Sequence, residues 1–356
     1  MCIRDSIRSA WHGLAAGRSR PAAVRIFIEG PWWAGRWTDI SVATLEQLGH
    51  ETACYYHNRK TPADRLRLAG GRLAQLTGRQ SPDWPALARR HLMQRLASLR
   101  PDLLISIQGK LDASTARQLK QRLPGVKIVF WWGDILTVQG LQKIEQAAAF
   151  ADHILVSYRG IHEELAPRYG EQLLYFPFAA SPRFHSPGSM TSTARDRLAA
   201  EVAFVGTCYP ERCELIRYLN AHLDRPVRVW GRGWRRCRGV RSHGPLSLAD
   251  SIRVYANAAV TLNLHHRDTD NGCNMKFYEI PAAGGYQVCD WQPVLQESAL
   301  GRLTTACRTP EVFLDRIRHA LQHPGERTAA AARARAEVLT NEAWETRFKK
   351  LLKRLC

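Results

Sequence analysis

Residues 260–290 read VTLNLHHRDTDNGCNMKFYEIPAAGGYQVCD, and this stretch indicates the fold. It opens with a short apolar run and passes through a polar loop into a segment of helical character. A second apolar run follows at 286–290, after the Gly284-Gly285 pair. Two apolar strands joined by one helix are the unit from which parallel sheets are built. The glycine pair ends the helix and keeps the second strand close.

The same alternation of short apolar strand and helix occurs along most of the chain. Short apolar runs separated by helix-length segments are typical of a parallel sheet with helices on both faces. The predicted strands lie at 24–29, 51–56, 103–107, 127–132, 153–157, 202–205, 227–230, 260–264, 286–290 and 303–307. We therefore predict an α/β protein with two doubly wound, Rossmann-like parallel-sheet domains that face each other across a cleft. Ligands of such domains bind at the carboxyl ends of the strands.

A change in composition separates the two predicted domains. Residues 177–200 are rich in proline, serine and threonine and lack an apolar period, which predicts an interdomain linker. We place the first domain at 21–176 and the second at 201–340. Residues 341–356 predict a basic amphipathic helix, which either packs on the protein itself, as we favour, or lies on a membrane surface. We expect residues 1–20, which open with MCIRDS, to be a non-native or disordered leader.

The chain of 356 residues carries a net charge of +19, and the charge is uneven. Residues 59–122 hold fourteen Lys and Arg, four Asp and no Glu. A basic face can bind nucleic acid, anionic lipid or a phosphorylated substrate, or it can be an ordinary solvated surface. No apolar run is long enough for a transmembrane helix, and no secretory signal is visible. We expect a cytoplasmic protein, with peripheral contact to the inner membrane face as an option.

Nine cysteines are scattered along the chain, with no CxxC pair and no Cys/His cluster of metal-ligand spacing. We therefore expect reduced thiols, no metal site and no bound cofactor. Asp268 and Asp270 have the spacing of a metal-binding acid pair, but we interpret them as loop acids.

Lys276 and Glu279 stand three residues apart in the predicted helix, so their side chains share a face. A lysine beside a helix amino terminus suits a phosphate. A carboxylate one turn further along can accept hydrogen bonds from the vicinal hydroxyls of a ribose. This pattern is typical of a nucleoside-diphosphate site. The alternative is an exposed Lys–Glu pair that stabilises the helix only slightly.

The stretch NLHHRDTDNGCNMKFYEIPAAGGYQVCDW resembles the signature of spore-maturation-type (CgeB-type) glycosyltransferases. The residues that match the family's run are Asn274, Lys276, Glu279, Gly284 and Asp290. Further resemblance lies in VAFVGTCYPERCELI, VRVWGRGW, KIVFWWGD and LLYFPFAASPRFHSP. The resemblance implies the two-domain GT-B fold, with a C-terminal helix that crosses back to the first domain. It also implies a glycosyltransferase that uses a nucleotide-activated sugar and needs no metal.

The same resemblance places the donor in the second domain. Glu279 would contact the ribose, and Lys276 and Arg212 would face the diphosphate, where charge builds up as the leaving group departs. The implied donor-binding residues are Gly206, Arg212, Gly231, Asn274, Lys276 and Glu279. The nucleotide sugar is then a co-substrate, and the acceptor stays open between a glycan, a lipid-linked group and a protein.

The strand ends supply candidates for the chemistry. Asp134 follows the strand at 127–132, where it can take a proton from an acceptor hydroxyl or cap the next helix. His266 follows the strand at 260–264, where it can bind the sugar or phosphate or be structural; we take both residues as catalytic candidates. In the GT-B fold the loop after the first strand approaches donor and acceptor. That loop contains Gly30, Trp32, Trp33 and Gly35, and its tryptophans either stack on a sugar or pack in the core.

One departure from related enzymes concerns Asn271. Many retaining enzymes of this fold carry two glutamates eight positions apart, and the residue eight before Glu279 is Asn271. The stereochemical outcome is therefore open. Two other functions compete with glycosyl transfer: a basic nucleic-acid-binding protein, which no recognised binding module supports, and a non-catalytic relative that binds sugars or nucleotides.

Overall fold

The computed structural model describes residues 23–32, 37–60, 62–66, 69, 84–109, 111–269 and 271–355. Within these ranges the chain forms two α/β domains, each built on one parallel sheet. The predicted fold class is confirmed. The predicted leader at 1–20 lies outside the described residues, as do Trp33, Gly35 and Asp270.

The first domain contains a six-stranded parallel sheet with the order β2-β1-β3-β4-β5-β6. Its strands are β1 (Arg25–Gly30), β2 (Glu51–Tyr56), β3 (Leu103–Ile107), β4 (Lys127–Trp132), β5 (His153–Val156) and β6 (Leu173–Tyr175). Strand β3 has the sequence LLISI, and all of its residues are buried because helices cover both faces of the sheet.

Five helices pack on the first sheet, and two of them begin at side-chain caps. They are α1 (Trp37–Gln47), α2 (Trp84–Leu99), α3 (Ala113–Arg122), α4 (Val138–Ala148) and α5 (Arg159–Tyr169). The Asp112 side chain accepts a hydrogen bond from the Thr115 N–H, and the Thr137 hydroxyl accepts one from the Gly140 N–H. In the segment between β2 and β3, the structure describes residues 62–66, 69 and 84–99 as helical.

The segment predicted as a linker contains two short helices, α6 (Pro182–His185) and α7 (Ser192–Leu198). Its first part is more buried than a solvated linker would be, because Phe178 and Ala180 lie in the hydrophobic core. The segment therefore contributes packing as well as the connection between the sheets.

The second domain has a five-stranded parallel sheet with the order β11-β10-β9-β7-β8. Its strands are β7 (Ala200–Val205), β8 (Arg228–Trp230), β9 (Ala258–Asn263), β10 (Gln287–Asp290) and β11 (Thr305–Cys307). Its helices are α8 (Pro210–His222), α9 (Leu248–Asn257), α10 (Lys276–Ala282), α11 (Ala299–Leu303), α12 (Pro310–Gln322) and α13 (Pro324–Asn341). Pro324 separates α12 from α13, because it begins the second of these helices.

The last helix, α14 (Trp344–Leu355), crosses back and completes the core of the first domain, as predicted. The apolar residues of its stripe are all buried, namely Trp344, Phe348, Leu351, Leu352 and Leu355. The Trp344 ring lies 5.5 Å from the Trp131 ring and 5.9 Å from the Phe176 ring, centre to centre. This face is therefore used for internal packing. In the described ranges, no helix is both long and apolar enough to cross a bilayer.

Both sheets change direction at an equivalent place. The strand order reverses between β1 and β3 in the first domain and between β7 and β9 in the second, where those strands pair in parallel. In doubly wound folds, ligands bind in the crevice at the carboxyl ends of the two strands that flank such a reversal. These two places, called the first and the second switch point below, are where the site should lie.

Candidate functional site

Two glycines make the closest backbone contact at the second switch point. Gly206 follows β7 and Gly231 follows β8, and the Gly206 N–H donates to the Trp230 carbonyl at 2.8 Å. Gly231 has a φ of 144°, and a Cβ there would lie 1.9 Å from the Gly206 carbonyl oxygen. That oxygen accepts a hydrogen bond from the Trp234 indole N–H at 2.9 Å. Position 231 therefore requires glycine, and the structure brings these two predicted donor-binding residues together.

Arg212 is a buried cation between the ends of β7 and β9. It lies in the first turn of α8 and is 6% exposed. Its guanidinium donates to the carbonyls of Thr207 at 3.0 Å and Leu264 at 2.6 Å, and lies 4.7 Å from the centre of the Tyr209 ring. Burial lowers the pKa of Arg212, but an arginine stays charged at neutral pH. Among the described residues no carboxylate forms an ion pair with it, and its Nε has no hydrogen-bond partner.

Lys276 approaches the same strand end from α10. Its Nζ lies 3.2 Å from the point that a Cβ on Gly206 would occupy, and 5.9 Å from the centre of the Phe204 ring. The absence of a side chain at 206 therefore leaves room for the ammonium group. Arg212 and Lys276 place two positive charges beside the end of β7.

Three N–H groups in the first turn of α10 are already hydrogen-bonded within the chain. The Phe277 N–H donates to the carbonyl and side-chain oxygens of Asn274, each at 3.2 Å, and the Met275 carbonyl accepts two further N–H groups of the first turn at 3.0 Å. The Asn274 amide also donates to Asn263 at 3.0 Å. Asn274 thus fixes the start of a seven-residue helix, and the positive charge here belongs to side chains such as Lys276.

Glu279 is 1% exposed, so the Lys–Glu pair is not the exposed surface pair of our alternative interpretation. The fully buried His185 of α6 places its Nε2 4.0 Å from the Glu279 Oε1. The His185 Nδ1 accepts the Ser181 N–H at 3.0 Å, so the neutral ring carries its proton on Nε2. Glu279 therefore faces a polarised N–H from the segment that connects the domains.

The two histidines after β9 have different surroundings. His265 is buried and pairs with Asp290, whose Oδ1 lies 3.0 Å from the His265 Nδ1 and 2.8 Å from its backbone nitrogen. Burial alone would raise the pKa of Asp290, but the charge and hydrogen bonds of His265 outweigh it and lower the pKa. His266, the predicted catalytic candidate, packs edge-on against Tyr209 at 4.5 Å, and its Nδ1 accepts the Asp268 N–H at 3.2 Å.

Asn271 has a structural role that accounts for its residue type. It has a φ of 42°, a left-handed conformation that asparagine tolerates better than glutamate. Its carbonyl accepts the Gly160 N–H at 3.0 Å, and its Oδ1 accepts the Val294 N–H at 2.7 Å. The neighbouring Gly272 leaves no room for a side chain, because a Cβ there would lie 2.3 Å from the Tyr158 ring. This loop therefore holds the two domains together at the cleft.

The loop after β1 meets the second domain through the start of α1. A Cβ on Gly30 would lie 2.5 Å from the Thr38 Oγ1, so β1 ends directly against α1. The indole N–H of the adjacent Trp37 donates to the sulfur of Met275, the residue before Lys276. The first and second switch points therefore face each other across a narrow gap.

Among the predicted first-domain residues that the structure describes, Trp32 and Asp134 have exposed side chains. Trp32 is 41% exposed, so it is not a core residue, and the Arg59 guanidinium lies 5.2 Å from the centre of its ring. Asp134 follows β4 and accepts a hydrogen bond from the Ile135 N–H at 2.9 Å. Both side chains lie at the cleft edge of the first sheet.

A polar cluster that we did not predict lies at the first switch point. Glu29, near the end of β1, is 1% exposed. Its Oε1 lies 2.6 Å from the His57 Nδ1, and its Oε2 accepts a hydrogen bond from the Ser106 hydroxyl at 2.6 Å. We call these three residues the Glu29 cluster. The sequence signal was a single acid in the apolar strand RIFIEG, one residue before its end.

Two cysteines, Cys213 and Cys237, are not the reduced thiols that we expected. A disulfide joins Cys213 in α8 to Cys237, with a Cα–Cα distance of 5.8 Å. The fold brings the two together although they are 24 residues apart. The sulfur of Cys208 lies within 4.8 Å of both, but the two bonded sulfurs are not available as thiolate ligands. His319, His323 and Glu326 form a group of metal-ligand type on the surface.

A cavity of about 1040 Å³ opens beside this disulfide, at the carboxyl end of β8. Its lining includes Tyr209, Arg217, Gly231, Trp234, Arg235 and Ser242. It therefore adjoins the contact of Gly206 with Gly231 and has aromatic and basic walls.

The architecture matches that of solved GT-B structures. Sucrose-phosphate synthase from Thermosynechococcus elongatus aligns with a TM-score of 0.62 and 13% identity, over 93% of this chain and 99% of that chain. A glycosyltransferase from Rickettsia africae aligns with a TM-score of 0.61 and 10% identity, over 94% and 98%. Anabaena HepE, solved in complex with UDP, aligns with a TM-score of 0.59 and 13% identity, over 93% and 99%. At these identities the likeness concerns the fold alone.

Residues 212–353 match the family model described as glycosyl transferase-like. The matched segment begins at Arg212 and includes Lys276 and Glu279. The curated proteins contain no significant match to the sequence.

Proposed function

We propose that this protein is a glycosyltransferase that moves a sugar from a nucleoside-diphosphate donor to a hydroxyl acceptor. The family match over 212–353 and the GT-B architecture support this proposal. A neighbour of the same fold, Anabaena HepE, was solved in complex with UDP-glucose. The resemblance to spore-maturation-type glycosyltransferases stays part of the proposal.

The observation that carries the proposal is the buried Arg212 at the second switch point. A buried cation is unfavourable unless something balances its charge. Among the described residues its hydrogen bonds go to carbonyl oxygens, and the carboxylates of Glu211 and Asp290 act on it only from beyond ion-pair distance. Lys276 adds a second positive charge beside Gly206. A diphosphate is a ligand that satisfies both charges, and it is also the leaving group on which negative charge builds up during transfer.

The remaining predicted donor contacts are arranged around that point. The cavity lined by Gly231 and Trp234 is large enough for a nucleobase, and Trp234 supplies an aromatic wall. Glu279 lies one helical turn beyond Lys276, where the ribose of a bound nucleotide would follow its phosphates. Since side chains supply the positive charge, we propose that transfer needs no divalent metal and continues in excess EDTA.

Binding of UDP tests this site directly. Titration calorimetry of the full chain with UDP should give a measurable Kd, and Lys276→Gln should weaken it about tenfold to a hundredfold, as expected for loss of a charged hydrogen bond. Lys349→Gln is the matched control, because Lys349 is exposed on α14. Equal affinity of the two variants would contradict the assignment.

The basic nucleic-acid-binding alternative makes the opposite prediction. A nucleic-acid-binding protein should not bind UDP. Its affinity for single-stranded DNA should fall steeply as the salt concentration rises. Measuring both ligands on one preparation separates the two functions.

A further inference from the structure

The Glu29 cluster has the properties of a working site rather than of core packing. Replacing a buried charged group by a well-packed apolar residue is often neutral or stabilising, so such a group is weak evidence for a stabilising role. Next to it the backbone is constrained: Gln108 has a φ of 47°, and a Cβ on Gly109 would lie 1.9 Å from the Glu29 Oε2. Buried charge and left-handed backbone at one strand end are typical of functional sites.

The cluster faces the cleft close to the donor site. The His57 N–H donates to the Gly30 carbonyl at 3.2 Å, and Gly30 packs on Thr38 of α1. Trp37, the residue before Thr38, contacts Met275 beside Lys276. A short series of direct contacts thus joins the loop of His57 to the lysine at the second switch point.

An exposed aromatic ring lies beside His57. The Asn58 side chain accepts the Trp32 N–H at 2.7 Å and donates to the Trp32 carbonyl at 3.2 Å, which ties the loops after β1 and β2 together. An exposed tryptophan offers a flat apolar surface on which a sugar ring can stack. An acceptor saccharide held there would have hydroxyl groups near His57.

The geometry of the pair sets the role of each nitrogen. Because the Glu29 carboxylate holds the His57 Nδ1 at 2.6 Å, the neutral ring carries its proton on Nδ1 and its lone pair on Nε2. The carboxylate also stabilises the imidazolium that forms when Nε2 takes a proton. The hydroxyl of Ser106 holds the other carboxylate oxygen in place.

We propose that His57 is the general base that activates the acceptor, an inference that rests on the proposed glycosyl transfer. The acceptor hydroxyl gives its proton to the His57 Nε2, and its oxygen forms a bond to the anomeric carbon. The bond from that carbon to the diphosphate oxygen breaks, and its electron pair leaves with the nucleoside diphosphate beside Arg212 and Lys276. Glu29 and Ser106 are positioning residues that act through His57.

This arrangement has a stereochemical consequence. In the proposed step the base acts from the first domain and the leaving group is held by the second, and we expect the acceptor to attack the anomeric carbon from the face opposite the diphosphate. A single displacement of this kind inverts the anomeric configuration. It needs no second glutamate at the position of Asn271.

The test uses the full chain with UDP-glucose, UDP-galactose and UDP-N-acetylglucosamine as donors and water as acceptor, with UDP release as the readout. His57→Gln should lower kcat about 100-fold or more and leave the Kd for UDP within about twofold. His50→Gln is the matched control, because His50 lies at the amino end of β2, opposite the carboxyl end that His57 follows, and accepts the Val24 N–H. Imidazole added to His57→Ala should restore part of the lost rate, which a merely structural role would not allow.

Glu29 is tested separately through the ring that it positions. In ¹⁵N-histidine spectra, wild-type His57 should carry its proton on Nδ1, and Glu29→Gln should shift the ring toward a mixture of tautomers while kcat falls and the Kd for UDP stays constant. A ring protonated on Nε2 in the wild type would overturn the proposal. So would equal UDP release from wild type and His57→Gln, or no release from the wild type. Absence of UDP binding to the wild type would instead overturn the nucleotide site itself.

Discussion

The two switch points have the same topology and opposite charge. At the first, between β1 and β3, the buried group is the carboxylate of Glu29; at the second, between β7 and β9, it is the guanidinium of Arg212. The fold provides the same crevice twice, so strand order alone does not distinguish the two places. The charge of this buried side chain, Glu29 or Arg212, determines which kind of ligand atom each crevice can bind.

The hydrogen-bond partners of Glu29 and Arg212 also differ, because only those of Glu29 can carry or move a proton. Glu29 is held by an imidazole and a hydroxyl, both of which can carry or move a proton. Arg212 is held by two backbone carbonyls, which cannot. The first crevice is therefore suited to proton transfer, and the second is suited to holding a fixed negative charge.

The largest effect is expected from removing the cation of the second crevice. Arg212→Met takes away a buried charge and leaves two carbonyls without their donors, so we expect a loss of about 2–5 kcal/mol in the free energy of unfolding and no measurable UDP binding. Urea unfolding measures the first effect and calorimetry the second. Arg333→Met, on the exposed side of α13 and outside the cavity beside β8, should change either quantity little. A similar stability for both variants would show that the guanidinium does not join the two strands.

A change at Gly109 should disrupt the first crevice while leaving the second intact. In Gly109→Ala the new Cβ would approach the Ser106 hydroxyl to 1.7 Å and the Glu29 Oε2 to 1.9 Å, so the cluster must move. We expect a loss of about 1–3 kcal/mol in stability, a strong decrease in UDP release, and an unchanged Kd for UDP.

Gly125→Ala is the control for this substitution, because a Cβ at Gly125 would meet no atom within 4 Å. If UDP affinity fell together with UDP release in Gly109→Ala, the two crevices would not be separable in function.

The smallest effect concerns the pair of Asp290 and His265 behind the second crevice. The pKa of Asp290 is lowered in the folded protein, so its contribution to stability is present above its ordinary value of 3.8 and is lost as the pH falls through the lower, folded value. We expect Asp290→Asn to lower the free energy of unfolding by about 1 kcal/mol at neutral pH. This difference from wild type should shrink once the pH falls below the folded-state pKa of Asp290. Asp268→Asn, an exposed control in the same loop region, should show no such pH dependence in urea unfolding.

The contrast between the two crevices also explains how much of the fold and of the site the sequence could predict. Lys276, Glu279 and the glycines after them lie in one short stretch, so their spacing leads directly to the proposal of a nucleotide site, which stays a prediction. The strand and helix pattern was also sufficient for the two-domain fold, because the apolar runs are continuous and the helices carry their own caps.

The Glu29 cluster could not be predicted in this way. Its members are separated by 28 and 77 residues, and only the strand order β2-β1-β3 brings them together. A periodic pattern does not reveal strand order. The left-handed backbone of Asn271 was hidden for a similar reason, since its hydrogen bonds go to Gly160 and Val294 in other parts of the chain.

The crossing helix has a consequence for the order in which the protein can fold during synthesis. The Ala180 N–H donates to the Glu342 carbonyl and the Trp344 N–H donates to the Ala180 carbonyl, each at 2.8 Å, so the outgoing and returning connections are joined. The first domain leaves the ribosome early, but the apolar surface around Trp131 and Phe176 waits for α14, which is translated after the whole second domain. The nascent first domain therefore carries an uncovered hydrophobic face throughout translation of the second, and only the release of α14 closes it.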